Sequence, residues 1–117
     1  MMIVYGIPNC STVKKARQWL TDRGIDYTFH DFKKSGVSHE MLERWIAAQG
    51  LERVLNRQGT TWRKLDDTLR ASAETPDGAI RLMMRSPSLI KRPVLEHDTQ
   101  IVLGFNETRY TEQFIHE

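Results

Sequence analysis

Ile3-Val4-Tyr5-Gly6-Ile7-Pro8-Asn9-Cys10-Ser11-Thr12-Val13-Lys14-Lys15-Ala16 is the stretch whose reading decides the fold. Ile3 to Tyr5 is β-prone and is closed by Gly6 and Pro8, so it predicts a short buried strand that ends in a tight loop. Ser11 to Arg23 follows with helix formers. Val13, Ala16, Trp19 and Leu20 recur at helical offsets, which puts them on one face. Gly24 stops the helix in the position after its last residue, where glycine is favoured. Ile25 to Phe32 then alternates Ile25, Tyr27 and Phe29 with Asp26, Thr28 and His30, the pattern of a half-buried second strand. Strand, helix and strand in so short a span form a βαβ unit, whose right-handed crossover makes the two strands parallel.

Beyond this unit the signals change to helix. Ser38 is a good N-cap for a helix that carries Met41, Leu42, Trp45 and Ile46 and ends at Gly50. Further helical pieces are predicted over about 51–55, 62–72 and 76–86. The last has a clear start, with Thr75 as cap and Pro76 at the first helical position. Its apolar side, Ile80, Met83 and Met84, reads as core. Pro87 breaks it. Val94 to Glu96 and Gln100 to Leu103 read as a hairpin around His97, Asp98 and Thr99, and Asn106 caps a closing helix through Arg109, Tyr110, Phe114 and Ile115. The whole is an α/β chain of one domain over 1–117, with a thioredoxin-like βαβ and ββα core and a helical insertion over about 38–86.

Composition agrees with a small soluble globule. The chain has 117 residues, 39% hydrophobic and 27% charged, which suits one core and excludes an extended disordered class. The apolar opening from Met1 to Ile7 is too short for a spanning helix and lacks the basic lead of a secretory signal, so a cytoplasmic location is expected. Its 17 basic and 15 acidic residues are interspersed and net to +2, so neither a direct nucleic-acid grip nor a membrane surface is expected. The modestly basic run Arg53, Arg57, Arg63 and Lys64 has the spacing of a solvated helical face or of a site for a small anion.

One cysteine cannot close an internal disulfide, which fits a reducing compartment and directs attention to that thiol. Cys10 stands in a polar loop between Asn9 and Ser11, where a core has no use for a small apolar side chain. The positive end of the following helix favours a thiolate, and the hydroxyls of Ser11 and Thr12 add donors, so a pKa below about 8.5 is expected. Lys14 and Lys15 stand one turn on and either assist electrostatically or are simply solvated. Val13 occupies the fourth position of a Cys-x-x-Cys pair, so a second thiol has to come from another molecule. The single cysteine and His30, His39, His97 and His116 have no metal-ligand spacing, and no metal or bound cofactor is expected. Arg92 precedes Pro93 at the mouth of the third strand and offers a planar fork to a carboxylate or oxyanion.

With these residues placed, the chain resembles the ArsC/Spx/YffB family of glutaredoxin-coupled arsenate reductases and their relatives, above all its YffB branch. The resemblance rests on Tyr5-Gly6-Ile7-Pro8-Asn9-Cys10, Lys14-Lys15-Ala16-Arg17, Leu55-Asn56-Arg57, Ser88-Leu89-Ile90-Lys91-Arg92-Pro93-Val94 and Gly104-Phe105. It implies a cysteine nucleophile at Cys10, oxyanion-binding arginines at Arg57 and Arg92, and a cis bond before Pro93. The family's third arginine is replaced by Phe105 and Asn106. The expected activity is therefore a glutathione-dependent thiol reductase whose adduct on Cys10 is resolved by glutathione, with glutaredoxin as a further partner and a small anionic or thiol substrate. A Spx-like regulatory module and an arsenate reductase are the alternatives.

Overall fold

A computed structural model describes residues 1–115, and the chain divides into two compact units, 1–31 with 92–117 and 32–91. The first unit holds the sheet. Strand β1 (Met2–Gly6) is followed by helix α1 (Ser11–Asp22) and strand β2 (Thr28–Asp31), then, after the second unit, by β3 (Val94–His97), β4 (Gln100–Leu103) and α8 (Glu107–Phe114). The strand order is β2-β1-β3-β4. β1 and β2 are parallel, from Ile3 opposite Thr28 to Gly6 opposite Asp31, while β1 with β3 and β3 with β4 are antiparallel. This is the expected thioredoxin-like βαβ and ββα arrangement.

Ile25 to Tyr27, expected to be strand, lie before the first residue of β2. The alternation survives, since Ile25, Tyr27 and Phe29 are half-buried and Asp26 and Thr28 exposed. The ladder does not extend that far because Thr28 already pairs with Ile3, near the beginning of β1. At the other end Phe32 leaves the strand to begin a helical turn.

Met2, Val4, Leu95 and Val102 supply one face of the sheet to a core completed by Ala16, Trp19, Leu20 and Tyr110. Each large side chain sealed there contributes about 1.5–3 kcal/mol. Tyr110 is the centre of its aromatic part, edge-on to Trp19 at 5.4 Å, Phe105 at 5.0 Å and Phe114 at 5.5 Å between ring centroids. Its hydroxyl donates to the Gly104 carbonyl. Burial drives the Tyr110 phenol pKa well above its ordinary value, against a smaller opposing effect of Arg109. A raised pKa means that the folded state holds the proton more tightly than the unfolded chain. This contribution is therefore complete below the unfolded value of about 10 and is lost as pH rises through the folded one. Denaturant midpoints followed through that alkaline range should fall more steeply for the parent than for Tyr110→Phe; parallel curves would contradict this reading of Tyr110.

The second unit is helical: α2 (Phe32–Ser35), α3 (His39–Gln49), α4 (Leu51–Val54), α5 (Thr60–Arg63), α6 (Asp67–Ser72) and α7 (Pro76–Arg85), then a 3-10 turn at Pro87–Leu89. Ser38, Asp66 and Thr75 cap α3, α6 and α7, accepting from the N–H of Met41, Leu69 and Gly78. The Asp66 cap accounts for a correction, because the helix expected over 62–72 is two helices with a new start at Asp67. A short helix, α2, precedes the expected insertion over about 38–86, and the compact unit that contains these helices spans Phe32–Lys91. Leu42, Trp45, Val54, Leu55, Ile80, Met83 and Leu89 are buried, but Met84, expected in the core, is 39% exposed. α7 presents Ile80 and Met83 inward, and Met84 follows them onto the solvent side of the turn.

Gly78 is required by a close approach. A Cβ there would lie 1.8 Å from the Ser72 carbonyl oxygen, so the end of α6 and the first turn of α7 meet backbone to backbone.

Candidate functional site

The site begins with how β1 hands the chain to α1. Gly6 ends the strand against Val13, and a Cβ on Gly6 would stand 2.8 Å from a Val13 methyl carbon. The missing side chain lets the first turn of α1 sit close on the strand. Between them the Cys10 N–H donates to the Ile7 carbonyl at 3.3 Å, and the Cys10 carbonyl accepts from the Lys14 N–H at 3.0 Å. Cys10 is thereby fixed as the N-cap residue of α1, extended at φ −93° and ψ 125° and half-buried.

Partial burial is the largest single influence on the Cys10 thiol and works against its ionisation. It is outweighed by the favourable influence of the Val13 N–H, the Arg92 guanidinium and the Thr12 N–H on the anionic sulfur, together with the positive charge of Arg92, so the pKa lies below the ordinary thiol value. The Cys10 side chain makes no capping hydrogen bond to the first turn of α1. This refines the expectation from the sequence. The N–H groups of Thr12 and Val13 do what the hydroxyls of Ser11 and Thr12 were expected to do, and Ser11 is exposed. Lys14 takes part through its backbone, with an exposed side chain, and Asn9 is exposed in the turn before Cys10.

Arg92 comes to Cys10 from a segment eighty-odd residues away in sequence. The Arg92–Pro93 bond is cis, and the buried Pro93 stands immediately before β3, its carbonyl accepting from the Gly104 N–H at 2.8 Å. At the place of the family's third arginine, Phe105 packs on Tyr110 and Asn106 caps α8 by accepting from the Arg109 N–H at 2.9 Å. Both residues are therefore occupied by structural work.

Arg57 belongs to the helical unit. It follows a short antiparallel pairing in which Leu55 lies opposite Ile90, the Asn56 N–H donates to the Leu89 carbonyl at 2.8 Å, and the Lys91 N–H donates to the Val54 carbonyl at 2.8 Å. The Arg57 guanidinium reaches Glu52 at 2.6 Å and lies 5.5 Å from the centre of the Trp62 ring. It lines a cavity with Trp62 and Arg70, two residues that carry no spacing signal in the sequence. Of the other basic residues in that run, Arg53 bonds Gln49, while Arg63 and Lys64 are exposed.

Among the described residues no group of histidine, cysteine and carboxylate side chains has the arrangement of a metal site; His116 lies outside them. Nor is any described helix long and apolar enough to cross a membrane.

The ArsC family model matches residues 5–113. A Haemophilus influenzae protein is 38% identical over 114 residues, covering 97% of this chain and 99% of that one. A global transcriptional regulator Spx of Streptococcus pyogenes is 28% identical over 109 residues, covering 92% and 80%. Of solved structures, the YffB protein superposes with a TM-score of 0.92 at 46% identity, covering 96% of this chain and 97% of its own. An arsenate reductase related protein from Brucella melitensis does so with a TM-score of 0.74 at 46% identity, covering 97% and 94%.

Proposed function

Because the chain belongs to the ArsC family, we propose that it is a glutathione-dependent thiol reductase with Cys10 as nucleophile. The observation that carries this reading is the place of Cys10 at the N-cap of α1, where the N–H groups of Val13 and Thr12 and the Arg92 guanidinium favour its thiolate. In the proposed cycle the Cys10 thiolate attacks one sulfur of a substrate disulfide, forming a mixed disulfide and releasing the other half as a thiolate that takes up a proton. A glutathione thiolate then attacks the mixed disulfide, freeing Cys10 and giving a glutathione mixed disulfide of the substrate. A second glutathione, directly or through glutaredoxin, releases the remaining thiol and leaves oxidised glutathione. The two electrons come from the two glutathione thiols, as Val13 in place of a second cysteine requires.

Arg92 has a second role in this scheme, holding a carboxylate of glutathione beside the sulfur it activates, and Arg57 is a further anion-binding residue. The bidentate geometry of a guanidinium suits a carboxylate. The chemistry is set in the cytoplasm, where glutathione keeps thiols reduced.

Incubation with oxidised glutathione followed by intact mass measurement should give a single glutathione adduct, removed by reduced glutathione. With hydroxyethyl disulfide as substrate, NADPH consumption through glutathione reductase should rise with enzyme concentration, and glutaredoxin should accelerate it. Arg92→Ala should lower that rate and weaken glutathione binding. No adduct, and no rate above the enzyme-free blank with or without glutaredoxin, would reject the reductase. The similarity to Spx regulators would then favour a binding module, recognised by protein partners retained equally by parent and Cys10→Ser.

A further inference from the structure

The helical unit contains a cavity of about 360 Å³ lined by Arg57, Trp62, Asp67, Arg70, Ala71, Ala73 and Glu74. Its charged lining is balanced, two guanidinium groups against two carboxylates. Arg70 is held in place from behind, since its Nε and Nη2 donate to the Leu65 carbonyl at 2.9 and 2.5 Å. Its approach to Asp67 is 3.8 Å, too long for a hydrogen bond, so the outer N–H groups are available to a ligand. Arg57 lies over Trp62 and is paired with Glu52, whose side chain is 82% exposed. An ion pair with so solvated a partner is worth about 1 kcal/mol or less, so a ligand carboxylate can replace it.

We propose that this cavity binds the zwitterionic head group of an α-amino acid, either free or as the γ-glutamyl end of a peptide. The carboxylate lies between Arg57 and Arg70, the ammonium faces Asp67 and Glu74, and the aliphatic part covers the Trp62 ring. A simple dianion fits less well, because it would meet both carboxylates without a cation to offset them. The site stands independently of any turnover at Cys10.

Trp62 is a selective reporter, being half-buried where Trp19 and Trp45 are buried. Its indole N–H resonance, assigned by loss in Trp62→Phe, can be followed in the full chain during titration with L-glutamate, S-methylglutathione and glutarate. S-methylglutathione cannot exchange with Cys10. The two amino-acid compounds should shift the Trp62 signal at concentrations about tenfold or more below those needed for glutarate. Arg70→Ala should weaken both by about tenfold or more, the scale of lost charge-assisted hydrogen bonds. Glu52→Ala should tighten them by freeing Arg57. Arg70 also supports the local backbone, so Glu74→Gln, at an exposed position, is the second variant and should weaken the amino-acid ligands while leaving glutarate unchanged or tighter. Tighter binding of S-methylglutathione assigns the head group to a γ-glutamyl peptide, and equal or tighter binding of glutamate to a free amino acid. An equal response to glutarate, silence at Trp62, or unchanged affinity in Glu74→Gln would each overturn the proposal.

Discussion

Cys10→Ser is expected to abolish glutathione-dependent turnover, with a loss on the order of 10³-fold or more, the scale of removing a nucleophile. The Cys10 sulfur is reactive in this reading because its lowered pKa favours the thiolate, and a serine hydroxyl in the same place does not ionise. The substitution is nearly isosteric, and the N–H groups that face the sulfur belong to Thr12 and Val13 rather than to the side chain being replaced. Stability should therefore change by no more than about 1 kcal/mol. A denaturation curve close to that of the parent beside a dead assay would separate chemistry from folding, while substantial remaining activity would remove Cys10 from the mechanism.

The same sulfur has a pH signature. Because the Cys10 pKa is lowered in the folded protein, alkylation by iodoacetamide should rise through a midpoint below the free-thiol value of about 8.5. Arg92→Ala removes one donor and one positive charge that favour the thiolate, so its midpoint should move upward. In the linked folding equilibrium the stabilisation is complete above the unfolded thiol pKa and is lost as pH falls through the folded one. A parent midpoint at or above that of a free thiol would count against activation by these donors.

The second large effect belongs to Gly78→Ala, with an expected loss of about 3 kcal/mol or more of stability, at the upper end for overpacking. The added methyl would overlap the Ser72 carbonyl oxygen, a backbone atom that cannot rotate aside. Separating the two segments to make room would pull α7 from its Thr75 cap, whose hydroxyl accepts from the Gly78 N–H itself at 3.1 Å. Chemical denaturation measures this directly. A loss below about 1 kcal/mol, the ordinary scale of a single substitution, would mean that α6 and α7 are not held so closely.

Legibility in the sequence followed the range of the interactions. The caps Ser38, Thr75 and Asn106 were readable because a cap is decided by residues three positions apart, and all three are observed. The βαβ unit was readable from periodicity. The extent of β2 was not, because it depends on which residues β1 has available to pair, and the Asp66 restart was masked by Trp62, Leu65 and Leu69 at continuous helical spacing, although Asp66 is itself a favoured cap residue. At the site, the position of Cys10 at the mouth of α1 came from local pattern, whereas the Arg92 side chain reaches the sulfur only through the return of β3 beside β1. The grouping of Arg70, Asp67 and Glu74 around Arg57 has no linear signature, since it depends on how α5, α6 and the loops between them fold back.

The bare α-carbon at Gly6 ties thiol chemistry to the geometry of the sheet. Since Val13 rests against it, the direction in which the first amides of α1 aim is inherited from the end of the strand that precedes Cys10. A screen for altered cysteine reactivity should accordingly yield alleles at the strand's end as well as around the thiol, and their lesion would be one of aim rather than of charge.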